Sequence, residues 1–461
     1  MNNLHLYYRL PVFLQELALS AYGASLRVRR YGGSHERLVR ALMINGTGTG
    51  EEVQRKQLGL LHATLHHAQH TVPYYRSLGL AKSAPALDVG TALEGWPMLT
   101  KSNVQQAGAA MLSDLHRDAR LTQIHTGGTT GRAMSVWATA DTLRQNYGFF
   151  ERFKRWSGVE AGARVATFAG RPIVPPDDLR GPFWRRNYAA SQLLLSSYHI
   201  GTTTLDRYID ALEQFAPSLI DSYPSSIEPI ARRIVQRGGT RVRPKAVITS
   251  SETLMPEVRA IIETAFGCQV FDHYGSAEMV AFITQCSLGG YHANPDYGVL
   301  EILDAQGRPA APNEEGEIVA TGFINPAMPL VRYRMGDLAR WAPSPCPCGL
   351  PFPTLSAIVG RMDDVILTPD GRRVGRLDPI FKAVATLHEA RVVQETIDTV
   401  RLEVVALDGF RDIDRDALIH ELRVRLGASV RIEFARVDAI PRTAGGKLRT
   451  VVSALSRSID R

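Results

Sequence analysis

With 461 residues, the chain is longer than one ordinary hydrophobic core supports, so the sequence predicts two or three domains. A hydrophobic fraction of 44% and a charged fraction of 21% are typical of a soluble globular enzyme. The net charge of +7 is spread along the chain, and short basic clusters such as Arg185-Arg186 are interpreted as solvated faces. Because no aromatic-basic repeat accompanies them, the composition argues against nucleic-acid binding.

Cysteine usage and hydropathy favour the cytoplasm. Four cysteines in a chain of this size argue against a disulfide scaffold and fit a reducing compartment. No apolar run approaches the roughly 18 residues that span a bilayer. The first residues lack the charged region and the small-residue cleavage site of a secretion signal. We therefore expect a cytoplasmic protein without a transmembrane segment.

The first part of the chain is predicted to be helical. Residues 12–26 have helical spacing, with Leu14, Leu17 and Leu19 near one side. Nearby arginines are compatible with a helix on a membrane surface, but packing on the body of the protein is the favoured interpretation. Residues 51–69 form a second amphipathic helix. Histidines recur every four residues at the end of this helix and just after it, at His62, His66 and His70. They are interpreted as a surface row rather than a metal site.

A helix beginning at Asp141, a good N-cap residue, leads into alternating strands and helices. Predicted strands at 164–168, 218–222, 245–249 and 268–273 alternate with helices at 206–215, 226–237 and 256–266. Such alternation predicts βαβ units and a parallel sheet. Ligands bind these sheets beyond the carboxyl ends of the strands, where residues 223–225, 250–252 and 274–278 fall.

The pattern changes after Gly298. Antiparallel strands are predicted at 299–303, 317–321 and 330–341, separated by Gly, Pro and Asn turns. Residues 391–407, a helix at 414–426 and a strand at 430–437 form a small α+β unit. The predicted fold class is α/β, with a large N-terminal domain (1–359, including a helical extension over 1–70), a hinge (360–364) and a small mobile α+β domain (365–461).

A run of glycines and threonines, 126–131, follows a predicted strand at 121–125. Glycine lets backbone N–H groups approach a ligand closely, and consecutive N–H groups in a turn bind anions. The run is therefore interpreted as a phosphate loop, with an exposed glycine turn as the alternative. It lacks the Gly-Lys-Ser/Thr ending of the Walker pattern, so an NTPase of that type is disfavoured.

Four further motifs follow this loop in a fixed order: Tyr-Gly-Ser-Ala-Glu at 274–278, Tyr-Arg-Met-Gly-Asp at 333–337, Gly-Arg-Met-Asp at 360–363 and Pro-Arg-Thr-Ala-Gly-Gly-Lys at 441–447. With them, the sequence resembles the adenylate-forming superfamily of acyl-CoA synthetases and peptide-synthetase adenylation domains. Gly127 stands in place of the family's serine, and Arg132-Ala133 in place of the lysine after the loop. Residues 72–76 and 97–101 resemble the phenylacetate–CoA ligase branch. Residues 17–23 and 29–32 resemble relatives encoded with capsular-polysaccharide genes.

The resemblance implies an ATP-dependent ligase that converts an aryl or other acyl carboxylic acid to an acyl-adenylate and releases pyrophosphate. The small domain would then swing about Asp363, and a thiol, coenzyme A, would take the acyl group. The family's segments after the hinge are replaced at 369–371 and 377–379, which bears on this second step. A homodimer is compatible with the sequence. Two alternatives stay open: transfer to an amine or hydroxyl acceptor in polysaccharide or secondary-metabolite biosynthesis, and a non-catalytic nucleotide-binding partner.

Attack of a carboxylate on the α-phosphate brings two anions together, so the site must neutralise charge. The resemblance assigns Lys447 to the α-phosphate, Glu278 to Mg²⁺ and Asp337 to the ribose hydroxyls. Arg361 would reach the ribose or a phosphate, or act only as a linker residue. The residues assigned to ATP or AMP are Thr126, Gly127, Gly128, Thr129, Thr130, Gly131, Ser251, Glu252, Tyr274, Gly275, Ser276, Asp337 and Arg361. The acyl-pocket candidates, with core packing as the alternative, are Phe149, Tyr223 and His273.

Cysteine and histidine form a further set. Cys346 and Cys348 are one residue apart, and Cys286 and His292 form a pair upstream. Three thiolates and one imidazole suit tetrahedral zinc, and similar knuckles occur in some phenylacetate–CoA ligase relatives. The sequence therefore predicts a structural zinc site, with reduced free cysteines as the alternative. Cys268, in the middle of a predicted strand, is interpreted as a core residue.

Overall fold

The computed structural model of the chain describes residues 2–80, 87–125, 134–169, 173–175, 178, 180–201, 203–361, 366–369, 373–374, 377, 380–381, 384, 386–427, 429–442 and 448–455. The helices in these ranges are α1 (Asn2–Arg9), α2 (Val12–Tyr31), α3 (His35–Asn45), α4 (Gly50–Thr71), α5 (Pro73–Ser77), α6 (Val89–Leu93), α7 (Lys101–Ala107), α8 (Ala140–Trp156), α9 (Leu205–Phe215), α10 (Pro224–Gln236), α11 (Pro256–Phe266) and α12 (Asp412–Leu426). No helix among these residues is long and apolar enough to cross a membrane.

The strands begin after the first seven helices, as the sequence pattern predicts. They are β1 (Thr122–His125), β2 (Ser135–Ala138), β3 (Val165–Ala169), β4 (Trp184–Asn187), β5 (Gln192–Ser196), β6 (Leu219–Ser222), β7 (Ala246–Ser250), β8 (Gln269–Gly275), β9 (Phe282–Gln285), β10 (Tyr291–Ala293), β11 (Gly298–Leu303), β12 (Gly316–Gly322), β13 (Tyr333–Trp341), β14 (Thr354–Arg361), β15 (Ile366–Leu367), β16 (Arg373–Val374), β17 (Leu387–Thr396), β18 (Thr399–Ala406), β19 (Arg431–Arg436) and β20 (Val451–Ser453).

Twelve of these strands form one mixed sheet, in the order β11-β12-β13-β14-β10-β9-β8-β7-β6-β3-β5-β4. Strands β5, β3, β6, β7 and β8 run parallel to one another, and β4 adds an antiparallel strand beside β5. Strands β9, β10 and β14 continue the sheet as antiparallel pairs. The predicted α/β class, with a parallel part followed by an antiparallel part, is confirmed.

Both faces of the parallel strands are covered. Ile220 and Val247 belong to a core that includes α9, α10 and α11, whereas Leu219 and Ile248 belong to a larger core that includes α8. Because successive side chains of a strand point to opposite faces, these strands are buried on both sides. The loops at the strand ends are therefore the part of the parallel sheet open to ligands.

The start of α8 differs from the prediction. Thr139, and not Asp141, is the N-cap residue, because its Oγ1 accepts a hydrogen bond from the backbone N of Thr142 at 3.0 Å. Asp141 lies in the first turn of the helix. A carboxylate there still interacts favourably with the positive end of the helix dipole.

Neither β4 nor β5 is among the predicted strands, and in β4 Arg185 and Arg186 interrupt the apolar pattern. Arg185 is only 4% exposed, so the interpretation of this pair as a solvated face is wrong for Arg185. Its guanidinium donates to Gln15 Oε1 at 2.7 Å and to the carbonyl oxygen of Pro182 at 2.6 Å. Burial of the cation is offset by these acceptors.

The chain divides into two compact units, one of Met1–Met335 with Arg340–Ala357 and one of Gly336–Ala339 with Ile358–Arg461. In the second unit, the sheet β19-β18-β17-β20 shares a core with α12, to which Leu418, Leu422 and Leu426 contribute at a spacing of four. Residues 391–407 fold as part of the β17–β18 hairpin. A domain boundary at 359 and a hinge around Asp363 stay predictions, since residues 362–365 lie outside the described residues.

Candidate active site and metal centre

The carboxyl ends of β6, β7 and β8 lie side by side. The register pairs Ser222 with Thr249 and Ser250 with His273. The residues at or just after the ends of these strands, at 223–225, 251–252 and 274–278, are therefore neighbours along one edge of the sheet. This is the placement expected from the alternation of strands and helices.

A carboxylate joins two of these loops. Glu252 accepts hydrogen bonds from the backbone N and from Oγ of Ser225, both at 2.9 Å. Ser225 lies in the first turn of α10, where backbone N–H groups have no partner within the helix. Glu252 thus caps α10. Its neighbour Ser251 is exposed and has a φ of 70°, so the chain turns sharply there.

The Tyr-Gly turn at the end of β8 requires glycine at its second position. A Cβ atom on Gly275 would lie 2.8 Å from Cε1 and 2.9 Å from Nε2 of His273. Gly275 is exposed, whereas Tyr274, Ser276 and Glu278 are half-buried. The open glycine backbone therefore lets a ligand approach beside residues that offer a ring, a hydroxyl and a carboxylate.

An aromatic cluster lies behind this turn. Ring centroids of Phe150, Phe153 and Phe282 are 4.9, 5.9 and 4.5 Å from that of His273. Phe149 is only 2% exposed and packs on Phe282 and Tyr297, which favours its core-packing alternative. Phe150, which the sequence analysis does not single out, is half-buried and lies over His273. Its position in the i, i+3 row with Phe153 is the signal that could have found it.

Burial sets the charge state of His273. It lowers the pKa of this histidine to about 3, so the imidazole is neutral near pH 7. Its Nε2 is buried and has no hydrogen-bond partner among the described residues. Burial also disfavours the charged form of Asp272, the residue before His273, and therefore raises the pKa of its carboxyl to about 6. Tyr291 Oη and Thr249 Oγ1 each donate to that carboxyl at 2.7 Å.

Several predicted site residues cannot be placed in this arrangement. The loop 126–131, Asp363 and Lys447 lie outside the described residues, and Arg361 is the last residue of β14. Asp337 is buried in β13, within the stretch that groups with the second unit. Tyr223 is half-buried at the N-cap of α10, two strands from His273 in the sheet order. Their assigned roles stay predictions.

The predicted cysteine and histidine ligands come together. The donor atoms of Cys286, His292, Cys346 and Cys348 all lie within 4.8 Å of one another. Cys286 follows β9, His292 lies in β10, and the two other cysteines precede β14. Since β9, β10 and β14 are neighbours in the sheet, the set is assembled by strand order. Cys268 lies apart, half-buried against the core of α9 to α11.

The spacing of the donors fits a tetrahedral ion. Sγ of Cys286 and of Cys346 are 3.7 Å apart, close to the roughly 3.8 Å expected for two thiolates on one zinc ion. Sγ of Cys348 lies 3.3 Å from Nε2 of His292. A Cβ atom on Gly290 would lie 2.7 Å from Sγ of Cys346, so glycine there makes room for the sulfur. Three sulfur donors and one imidazole nitrogen fit zinc.

The other histidine set is not part of a metal cluster among the described residues. His66 and His70 are exposed, and their rings stack with centroids 4.0 Å apart. The interpretation of a surface row fits His66 and His70, whereas His62 is half-buried.

Comparison with known proteins gives consistent results for both parts of the chain. A family model of the CapK C-terminal domain matches residues 366–454. The chain is 29% identical to Protein CapK of Staphylococcus aureus over 367 residues, which cover 77% of this chain and 79% of that protein. It is 24% identical to phenylacetate-coenzyme A ligase of Aromatoleum evansii over 428 residues, which cover 87% of this chain and 94% of the ligase.

Solved structures support the same fold. The crystal structure of 2-hydroxyisobutyryl-CoA ligase in the postadenylation state, in complex with R3-HIB-AMP, matches with a TM-score of 0.70 at 20% identity. The match covers 90% of this chain and 93% of the ligase chain. The relatives and structural neighbours are thus acid–CoA ligases together with CapK. The chain is thus similar in sequence to CapK and to the phenylacetate–CoA ligases, and it shares the fold of an acid–CoA ligase.

Proposed function

We propose that the protein activates a carboxylic acid with ATP and transfers the acyl group to a thiol, coenzyme A. A carboxylate oxygen attacks the α-phosphorus of ATP, the bond to the β-phosphate breaks, and pyrophosphate leaves. The thiol sulfur then attacks the acyl carbonyl, its proton goes to solvent, and AMP leaves. The observation that carries the proposal is the segment Tyr274-Gly275-Ser276, which lies at the end of β8, on the carboxyl edge of the parallel sheet and next to an aromatic cluster.

Each residue along this edge of the sheet has a separate proposed role. Tyr274 and Gly275 offer a ring and an open backbone to the nucleotide, with Ser251 at the end of the next strand. Glu278 would hold Mg²⁺, which neutralises phosphate charge when it is bound. Glu252 keeps its role as the cap of α10 and acts on the site by fixing the loop that carries Ser251. Lys447 and the loop 126–131 are proposed to contact the phosphates on the strength of their motifs.

The acyl group is proposed to rest on the half-buried ring of Phe150 and on His273. Rings at this position favour an aryl or other apolar acid, because flat apolar groups pack well against aromatic side chains. The neutral imidazole adds one polar contact through Nε2.

Pyrophosphate exchange into ATP tests the first half-reaction. The purified protein is incubated with aryl, fatty and amino acids in turn, with and without coenzyme A. We expect exchange with at least one aryl or apolar acid, and formation of an acyl-CoA when the thiol is added. Exchange without a thioester product would indicate that the acyl group is transferred to an acceptor other than coenzyme A. No exchange with any acid would contradict an enzymatic role.

We further propose that Cys286, His292, Cys346 and Cys348 hold a structural zinc ion. With four protein donors, the ion has no open position for a substrate, so it supplies stability and not chemistry.

Metal analysis of chelator-free protein should therefore find about one zinc ion per chain. Cys348→Ser should lose the zinc and lower the free energy of unfolding by about 3 kcal/mol, the value for an ion present at roughly 100-fold its Kd. Cys268→Ser is the control, because this cysteine lies outside the cluster, and should keep the zinc. Zinc-free wild-type protein would disprove the site.

Burial of His273 predicts a pH dependence of stability. The folded pKa of about 3 lies below the ordinary value of 6.5, so the unfolded chain binds a proton first as the pH falls. Stability from this group is complete above pH 6.5 and is lost as the pH falls towards 3. The difference in unfolding free energy between wild type and His273→Leu should therefore shift by up to about 1.4 kcal/mol per pH unit below 6.5. A difference that stays constant from pH 7.5 to 5 would show that the imidazole is not desolvated.

A further inference from the structure

Helix α2 is attached to the rest of its unit through a polar face. Gln15, Glu16 and Ser20 accept hydrogen bonds from β4 and the residue after it, at 2.7, 2.9 and 3.0 Å. A Cβ atom on Gly23 would overlap the side chain of Asn187, so helix and strand approach closely there. The inward face of the helix thus carries polar and small residues, with the half-buried Leu19 and Leu26 among them.

The opposite face of α2 is apolar and uncovered by any part of the chain that the structure describes. Phe13 is 62% exposed, Leu17 57% and Val28 72%. With Ala21 and Ala24, also exposed, they follow the i, i+4 and i+3 spacing of one helix face. The stripe is roughly 22 Å long at 1.5 Å per residue.

This arrangement differs from that of an ordinary amphipathic helix, because apolar residues lie on the outward face as well as among the half-buried ones. A helix on a globular protein normally turns its apolar stripe to the core and its polar face to water. In α2 the hydrogen-bonding side chains hold the helix in place and leave the apolar stripe outside. An exposed apolar stripe of this length marks an interaction surface.

The charges around the stripe select the partner. Glu16 is the only acidic residue between positions 2 and 31, and it faces inward. Arg9, Arg27 and Arg29 are exposed. A second copy of the chain would bring equal charges together, and a single helix face is far smaller than the roughly 800 Å² per partner of a stable interface. An anionic lipid surface satisfies both the apolar stripe and the arginines.

We propose that α2 docks the protein on an anionic membrane surface. Phe13, Leu17 and Val28 enter the boundary between headgroups and acyl chains, and Arg29 lies among the phosphates, whereas Arg27 donates to the carbonyl oxygen of Ala189. The helix stays parallel to the membrane plane, since its polar face remains bound to β4. This inference does not depend on the proposed ligase activity.

Vesicle flotation of the full chain tests the proposal. Vesicles of phosphatidylcholine alone are compared with vesicles containing phosphatidylserine, at low and high NaCl concentration. We expect binding to the anionic vesicles, weak binding to the neutral ones, and release by salt. The double variant Leu17→Ser/Val28→Ser should bind the anionic vesicles on the order of tenfold more weakly, or not at all, because two apolar side chains that would enter the membrane are lost. Arg29→Glu should weaken binding to the anionic vesicles alone.

Leu115→Ser is the matched control, because Leu115 is 71% exposed and lies outside α2. It should bind as the wild type does, and unchanged melting of all variants shows that they are folded. Equal flotation of wild type and the double variant would overturn the proposal. So would a wild-type dimer in sedimentation that the double variant breaks, without any vesicle binding, since the stripe would then be a protein interface.

Discussion

Lys447→Ala is expected to lower adenylate formation roughly 10²–10³-fold, the usual effect of removing one preorganised charge-stabilising donor. A lysine on a glycine-flanked loop is a mobile point charge. It contributes most when negative charge builds at the α-phosphate, and little when ATP only binds. ATP affinity should therefore stay within a few-fold of the wild type. Pyrophosphate exchange measures the loss.

The second half-reaction separates a catalytic loss from a folding defect. Transfer from supplied acyl-adenylate to the thiol should survive in Lys447→Ala, because the proposed swing of the small domain about Asp363 brings a different face of that domain into use for this step. Lys245→Ala is the control, since Lys245 pairs with Glu160 at the surface. Unchanged exchange in Lys447→Ala would remove this lysine from the mechanism.

Asp296→Ala is expected to cause the largest loss of stability of any single substitution considered. Both oxygens of Asp296 accept from the guanidinium of Arg152, at 2.7 and 2.9 Å, and the Arg152 side chain is fully buried. Removing the carboxylate leaves a buried cation without a counter-ion, at a cost of about 3–5 kcal/mol. Denaturant unfolding with an unchanged m-value measures it.

A surface ion pair of the same helix provides the comparison. Asp141→Ala removes the ion pair with Arg144. Because the Asp141 side chain is 64% exposed, the substitution should lower the free energy of unfolding by only about 0–1 kcal/mol. Equal effects of the two substitutions would show that Arg152 reaches water. The same helix holds Phe150 and Phe153 over His273, so Asp296→Ala should also weaken acid binding in the folded fraction.

The parallel sheet and the strand-end loops could be predicted because each strand is buried on both faces and reads as a short apolar run. The grouping of Cys286, His292, Cys346 and Cys348 could be predicted from residue type, because three thiols and one imidazole suit a tetrahedral ion, although Cys286 and Cys346 are far apart in sequence. Phe150 could not be separated from Phe149 by sequence. Which of two adjacent rings faces the core depends on the rotation of α8.

Two other features depend on pairings between distant segments. The buried Arg185 has its acceptor on α2, so the strand that contains it looks polar when its sequence is taken alone. The orientation of α2 is also hidden, because hydrophobic spacing predicts that Leu17 faces inward, whereas the hydrogen bonds of Gln15 and Glu16 hold it outward. In both cases polar contacts override the apolar pattern.

The metal cluster also has a consequence for the unfolded chain. Cys286 and Cys346 are 60 positions apart, and the segment between them includes β11, β12 and β13. An ion that binds both ends closes this segment into a loop, and a cross-link of such length removes about 4 kcal/mol of chain entropy from the unfolded state at room temperature. A zinc ion that stayed bound to both ends after unfolding would stabilise the meander in this way, as a covalent bridge does, whereas an ion released on unfolding stabilises it through its binding free energy alone.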